Sequence, residues 1–228
     1  LDIPWHHPGV KKLISSLAVS LDYADAVTIN SEKVKKDLLP YYSKKEIFVT
    51  YDVSKDVYLD KKIRSKENHF LYVGRANDPI KRIKLVYETL KLIPGAVDKI
   101  NICGSENPNF GKYLGIIDDK KLNELYNSTK FVLLPSRNEG IGLSMIEGMI
   151  CGSVPIMCSD NLTAKEFAPS EFICEPNPEK IKEKIYEIDK NYDSFRKLAL
   201  NYGQKYKVQF NKITIVKKLI EIFNRQKN

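Results

Sequence analysis

The sequence predicts an α/β protein in which a parallel sheet is flanked by helices. Short, wholly apolar runs such as residues 131–134 (FVLL) read as strands covered on both faces. Between them lie stretches whose apolar residues recur every three or four positions, the helical period. Strands separated by helices in this way imply parallel order with right-handed crossovers.

Taken in order, residues 10–21 are helix-like and residues 26–29 form a strand. Ser31 caps a helix over 32–39, Pro40 stops it, and 47–50 is a second β-type run. Residues 55–68 are charged and unpatterned, as suits a linker. A strand over 69–73 then precedes a helix over 79–93, with Ile80, Ile83, Leu90, Ile93 and either Val86 or Tyr87 on its inner face. Further strands are expected at 99–103, 131–134, 154–157 and 172–174, and a short helix at 120–126. A helix begins near Ser144, with Met145, Ile146, Met149 and Ile150, and stops at Gly152. Pro178 opens a helix carrying Ile181, Ile185 and Ile188, and the last helix, over 212–224, carries Ile213, Val216, Leu219, Ile220 and Phe223.

The formal net charge is +8, with lysines spread over helix faces and no interleaved aromatic platform, which argues against a nucleic-acid partner. A basic face is also compatible with weak membrane-surface association. No run approaches the ~20 apolar residues of a membrane span. Cys103, Cys151, Cys158 and Cys174 form no C-x-x-C pair and sit beside apolar runs, so reduced core thiols and a cytoplasmic location are expected. Three histidines give no basis for an imidazole metal cluster, and no metal is expected. The sequons at Asn127 and Asn161 read as chance matches.

The chemistry concentrates in residues 135–155, PSRNEGIGLSMIEGMICGSVP. A loop with Gly140 and Gly142 between a buried strand and a helix start presents free amides and the positive end of a helix dipole, an anion site. Glu139 and Glu147 flank it and suit hydroxyl groups better than phosphate; carboxylates beside a phosphate-binding turn hold ribose and sugar hydroxyls. Ser144-x-x-Glu147 is equally a capping box. After the strand at 69–73 come Gly74, Arg75 and, six residues on, Lys81, two cations able to hold a diphosphate.

The E-x7-E spacing of Glu139 and Glu147 in EGIGLSMIEGM, followed by CGSVPI, resembles the donor-site signature of retaining GT-B-fold glycosyltransferases, the family 4-like "glycosyl transferases group 1". The resemblance implies a GT-B-type, Rossmann-like parallel sheet as a donor-binding domain over 59–211. It also implies a partial N-terminal, acceptor-side Rossmann-like segment over 1–58, whose YADAVTINSEKVKKDLL is similar to the end of the family's first domain, and a helix over 212–228 crossing back toward it. A complete domain of that type needs upwards of ~100 residues, so most of the acceptor half is expected to lie elsewhere, through truncation, natural brevity or a partner.

By the same resemblance Gly74 binds the donor, Arg75 and Lys81 neutralise its leaving diphosphate, and Arg82 substitutes if Lys81 points away, because the family usually has Gly at that position. Ile116 or Ile117 lies against the base with Leu122 in support, or else these pack in the core. Glu139 contacts donor-sugar hydroxyls, Glu147 the ribose, and the amides around Gly140, Ile141, Gly142 and Leu143 the phosphates. His6 or His7 faces the transferred sugar or acceptor. The implied activity is metal-independent front-face transfer, with retention, from a nucleotide diphosphate sugar to a glycan, lipid or protein hydroxyl, without cofactor. The alternative is a non-catalytic nucleotide-binding module or half-transferase.

Overall fold

The computed structural model describes residues 23–39, 46–63, 66 and 68–225, so the expectations for residues 10–21, Pro40, His6 and His7 lie outside the described residues. The chain divides into two compact units, one running over Asp52–Ile215 and the other made of the residues up to Tyr51 and those from Val216 on.

The smaller unit contains a βαβ piece. β1 (Val27–Ile29) and β2 (Ile47–Val49) pair in parallel, with Val27 opposite Ile47. α1 (Glu32–Leu38) connects them, and the Ser31 hydroxyl accepts from the Val34 amide at 3.2 Å as the expected N-cap. Val27 and Ile47 are buried beneath Ala24, Ile29 and Leu38.

The larger unit is built on β3 (Asn68–Val73), β4 (Ile100–Cys103), β5 (Lys112–Gly115), β6 (Thr129–Leu134), β7 (Val154–Cys158) and β8 (Ile173–Cys174). Every pairing is parallel and the spatial order is β5-β4-β3-β6-β7-β8. From β3 the chain steps outward to β4 and β5, returns to lay β6 on the other side of β3, and steps outward again. Its helices are α2 (Ile83–Lys91), α3 (Asp119–Ser128), α4 (Leu143–Ile150), α5 (Leu162–Phe167), α6 (Pro178–Lys190) and α7 (Tyr192–Gln209), while α8 (Lys212–Arg225) carries the chain out of this unit. The alternation of β6 divides the layers. Leu133 lies with Val86 of α2 and Ile181 of α6 on one face, and Val132 lies under Gly148 of α4 on the other, where α3, α4 and α7 pack. Among the described residues no helix is long and apolar enough to cross a membrane.

Four departures from the sequence expectations have physical reasons. The helix expected over 79–93 is interrupted: Pro79–Lys81 is a 3-10 turn capped by Asp78, Arg82 adopts φ 51°, and α2 begins after it. Second, α7 is unanticipated because the residues it buries, Ala199, Gly203 and Tyr206, leave almost no apolar signature. A Cβ added at Gly203 would stand 2.5 Å from the Ile150 amide nitrogen, so α7 and α4 meet backbone to backbone. Third, β5 is an edge strand of half-exposed residues and α5 is a helix of six residues, both too short to register as patterns.

Fourth, the segment expected to be a linker is a strap clipped along α3. Asp119, Asn123 and Asn127 lie four residues apart on one face of that helix. Asp119 holds Lys55 at 2.8 Å and the Tyr58 hydroxyl at 3.3 Å. The Asn123 side-chain oxygen accepts from the Leu59 amide at 3.2 Å, and that of Asn127 from the Lys61 amide at 2.7 Å. Asn127 also donates to the Leu59 carbonyl at 2.8 Å. Both sequon asparagines are fully buried, Asn127 on α3 beneath this strap and Asn161 as the N-cap of α5.

Candidate functional site

Because the chain reverses its direction of travel across the sheet between β3 and β6, the loops leaving their C-terminal ends diverge and open a crevice there, the usual ligand position in open parallel sheets. The loop after β3 carries Gly74, Arg75 and, through the 3-10 turn, Lys81; the loop after β6 carries Glu139 to Gly142. The two loops are tied together, since the Arg137 amide donates to the Ile80 carbonyl at 2.9 Å.

Lys81 and Glu139 meet across this crevice. Lys81 Nζ stands 2.6 Å from Glu139 Oε1, with 19% and 11% of the two side chains exposed. Glu139 is further held by its backbone carbonyl, which accepts from the Thr163 hydroxyl at 2.7 Å. Arg75 reaches outward, 69% exposed, and pairs with Asp78 at 2.7 Å. Arg82 turns to Asp160, with both terminal guanidinium nitrogens on the carboxylate. It is therefore Lys81 that faces Glu139, and Arg82 is committed elsewhere.

Beneath these charges lies Tyr72, fully buried, its hydroxyl 3.5 Å from the Arg75 carbonyl. Burial, reinforced by the charges of Glu139, Asp78 and Glu106, holds its hydroxyl protonated far above the usual range. The Gly74 amide donates to the Cys103 carbonyl at 2.9 Å, anchoring the start of the loop to β4.

On the β6 side, Gly140 is half-buried, Ile141 is buried, and Gly142 caps α4 at φ 79°, a left-handed conformation that a side chain would resist. Leu143 is the first helical residue, so the initial amides of α4 have no intrahelical acceptor and point into the crevice end of the sheet. Ser144 is then inside the helix and the capping box does not form. Glu147, only 9% exposed, instead accepts from the Tyr126 hydroxyl at 3.0 Å. Burial pushes the Glu147 carboxyl up to about 7, against the pull of the Tyr126 hydrogen bond and of Lys55 toward lower values.

At the end of β5, Ile116 is 82% exposed, which removes core packing as its role. Ile117 and Leu122 are half-buried, Leu122 in the first turn of α3. His6 and His7 are not among the described residues, and among those that are, no group of three or more His, Cys, Asp or Glu is placed to hold a metal ion. No local pattern points to Tyr72, Tyr126, Asp160 or Thr163. Tyr126 occupies an apolar-periodic position of α3, and only the fold shows that its hydroxyl meets a carboxylate twenty-one residues away.

Chemically, the crevice offers cations, helix-start amides and carboxylates at the C-terminal end of the sheet, a set matched to a phosphorylated ligand that also bears hydroxyl groups.

A family model described as "Glycosyl transferases group 1" matches residues 58–209. O-antigen chain mannosyltransferase B of Escherichia coli is 32% identical over 102 residues, 44% of this chain and 26% of that protein. Among solved structures, sucrose-phosphate synthase from Thermosynechococcus elongatus superposes with a TM-score of 0.80 at 18% identity, over 94% of this chain and 61% of that one. Anabaena HepE in complex with UDP and glucose gives a TM-score of 0.80 at 16% identity, over 97% of this chain and 69% of that one. The pneumococcal O-GlcNAc transferase GtfA in complex with UDP and GlcNAc gives 0.72 at 14% identity, over 94% and 48%. This chain thus spans about a quarter of the curated relative and roughly half to two thirds of these structures.

Proposed function

This chain belongs to the glycosyl transferases group 1 family and has a GT-B-type fold, and from that we propose that it binds a nucleotide diphosphate sugar in the crevice between β3 and β6 and serves transfer of the sugar to an acceptor hydroxyl. The observation that carries the reading is the Lys81–Glu139 contact at the point where the sheet reverses. Such a pair offers a cation to phosphate and a carboxylate to sugar hydroxyls within one ligand's reach.

In this reading Arg75, Lys81 and the amides of Ile141 to Leu143 stabilise the charge that develops on the departing diphosphate, and Gly74 lets the loop approach it. Glu139 accepts from hydroxyls of the donor sugar and Glu147 from the ribose. Exposed Ile116, with Ile117, lies against the base, and Leu122 backs it. The acceptor hydroxyl attacks from the face the leaving group vacates, with retention, and needs neither a metal ion nor a carboxylate nucleophile, which separates it from the two-carboxylate chemistry of glycosidases.

The described part of the smaller unit has only two strands, and this favours a second reading in which the chain binds donor while a further domain or partner supplies the acceptor side.

The test is a thermal-unfolding screen against UDP, GDP, ADP and their sugar conjugates, with and without magnesium, UDP coming first because HepE and GtfA are held with it. A ligand that binds the folded state raises its melting temperature. A shift independent of magnesium is expected with one diphosphate and its sugar conjugates. No shift with any of them overturns the donor-site reading, and binding without transfer selects the second one.

A further inference from the structure

We infer that Tyr126 is a positioning residue of the donor site: its hydroxyl holds Oε2 of Glu147, fixing the plane of the carboxylate so that Oε1 is presented to the ribose hydroxyls. This rests on the donor-site reading above.

The geometry braces Tyr126 at both ends. Its carbonyl accepts from the Ser153 hydroxyl at 2.5 Å, just beyond the end of α4, and its own hydroxyl reaches Glu147, in the middle of α4. The ring of Tyr58, from the strap, packs edge-on against it with centroids 5.8 Å apart. Tyr126 is fully buried, and a phenylalanine would fill the same space. A hydroxyl there has one evident use, to donate to a buried carboxylate that otherwise has no hydrogen-bond donor among the described residues. A long side chain such as Glu rotates freely about its last bond unless one oxygen is fixed, so the hydrogen bond decides which way the second oxygen faces.

The groups facing Glu147 set the electrostatic consequence. Tyr126 and Asp119 face it from α3, Lys55 and Tyr58 from the strap, and Cys151 from the end of α4 itself. Desolvation raises the carboxyl, and the Tyr126 hydrogen bond is the chief influence favouring its ionised form. Removing the hydroxyl therefore disorients the carboxylate and also raises the pH below which it is protonated.

The experiment is calorimetric titration of the full chain with UDP, GDP and ADP between pH 6 and pH 9, for the wild type, Tyr126→Phe and Glu147→Gln. Wild-type affinity for the diphosphate that binds is expected to fall as pH drops through about 7. Tyr126→Phe should move that midpoint upward by about one unit, and Glu147→Gln should remove the pH dependence. Replacing Tyr126 with 3-fluorotyrosine, a stronger donor of nearly unchanged size, should move the midpoint the other way, which keeps the test available if the phenylalanine variant folds poorly. A hydroxyl that only tuned the charge of Glu147 would move the midpoint and leave the affinity at pH 9, where the carboxyl is ionised, unchanged; loss of orientation lowers the affinity there as well. An unchanged affinity at pH 9 in the folded phenylalanine variant overturns the positioning role alone; failure of the wild type to bind any of the three nucleotides overturns the donor reading and this inference with it.

Discussion

Lys81 and Glu139 neutralise one another across the crevice, 2.6 Å apart, although they are fifty-eight residues apart in the chain. In the proposed complex the two must part company, Lys81 toward phosphate and Glu139 toward sugar. Glu139→Gln is therefore expected to leave affinity for the bare diphosphate unchanged or several-fold tighter, because Lys81 is released, while weakening the sugar conjugate by ~1 to 2 kcal/mol. Paired calorimetric titrations with UDP and UDP-glucose measure this, and equal losses for both ligands would refute the division of roles.

Glu147 sets function against stability. Its folded carboxyl lies near 7, above the ordinary 4.5. A raised carboxyl contributes stability fully present below the unfolded value and lost as pH rises through the folded one. Glu147→Gln should then stabilise the protein at pH 8 by on the order of 2 kcal/mol and give no gain near pH 4, while weakening nucleotide binding. Denaturant unfolding at the two pH values is the measurement.

Arg82 holds a left-handed backbone, φ 51°, and a carboxylate partner, Asp160. Arg82→Ala loses the partner and keeps the strain; Arg82→Gly loses the partner and relieves the strain. The glycine variant should be the more stable of the two by about 1 kcal/mol, read as the difference in urea midpoints. Equal stabilities would mean that the backbone there relaxes.

Gly203 touches the backbone of α4 directly. Gly203→Ala inserts a methyl group against atoms that cannot rotate away, and should destabilise the larger unit by about 3 kcal/mol, despite alanine's better helix propensity. A thermal melt checks it, and a stabilised variant would show that α7 can shift.

How far the sequence could be read depended on how local each signal was. The loop and helix from Glu139 to Gly152 were legible because glycines and carboxylates stand within one strand-to-helix turn, and the buried strands β3, β4, β6 and β7 because both their faces are apolar. The break at Arg82 was hidden because the left-handed position carries a side chain where glycine would have announced it. The strap over residues 55–63 looked like a linker because it is held by polar partners more than sixty residues away, a pattern with no local period. Ser144 misled as a cap because Gly142 takes that place. The Tyr126–Glu147 contact depends on α3 and α4 being neighbours on one face of the sheet, which no single element encodes.

The polar ladder of Asp119, Asn123 and Asn127 also sets a clock. The amides of Leu59 and Lys61 lie in no regular element, yet each donates to a buried asparagine. Their exchange with deuterated water must wait for α3 to release the strap, so these two amides would retain hydrogen on the timescale of the helix they lean on, in a stretch whose composition looks like solvent-swept loop.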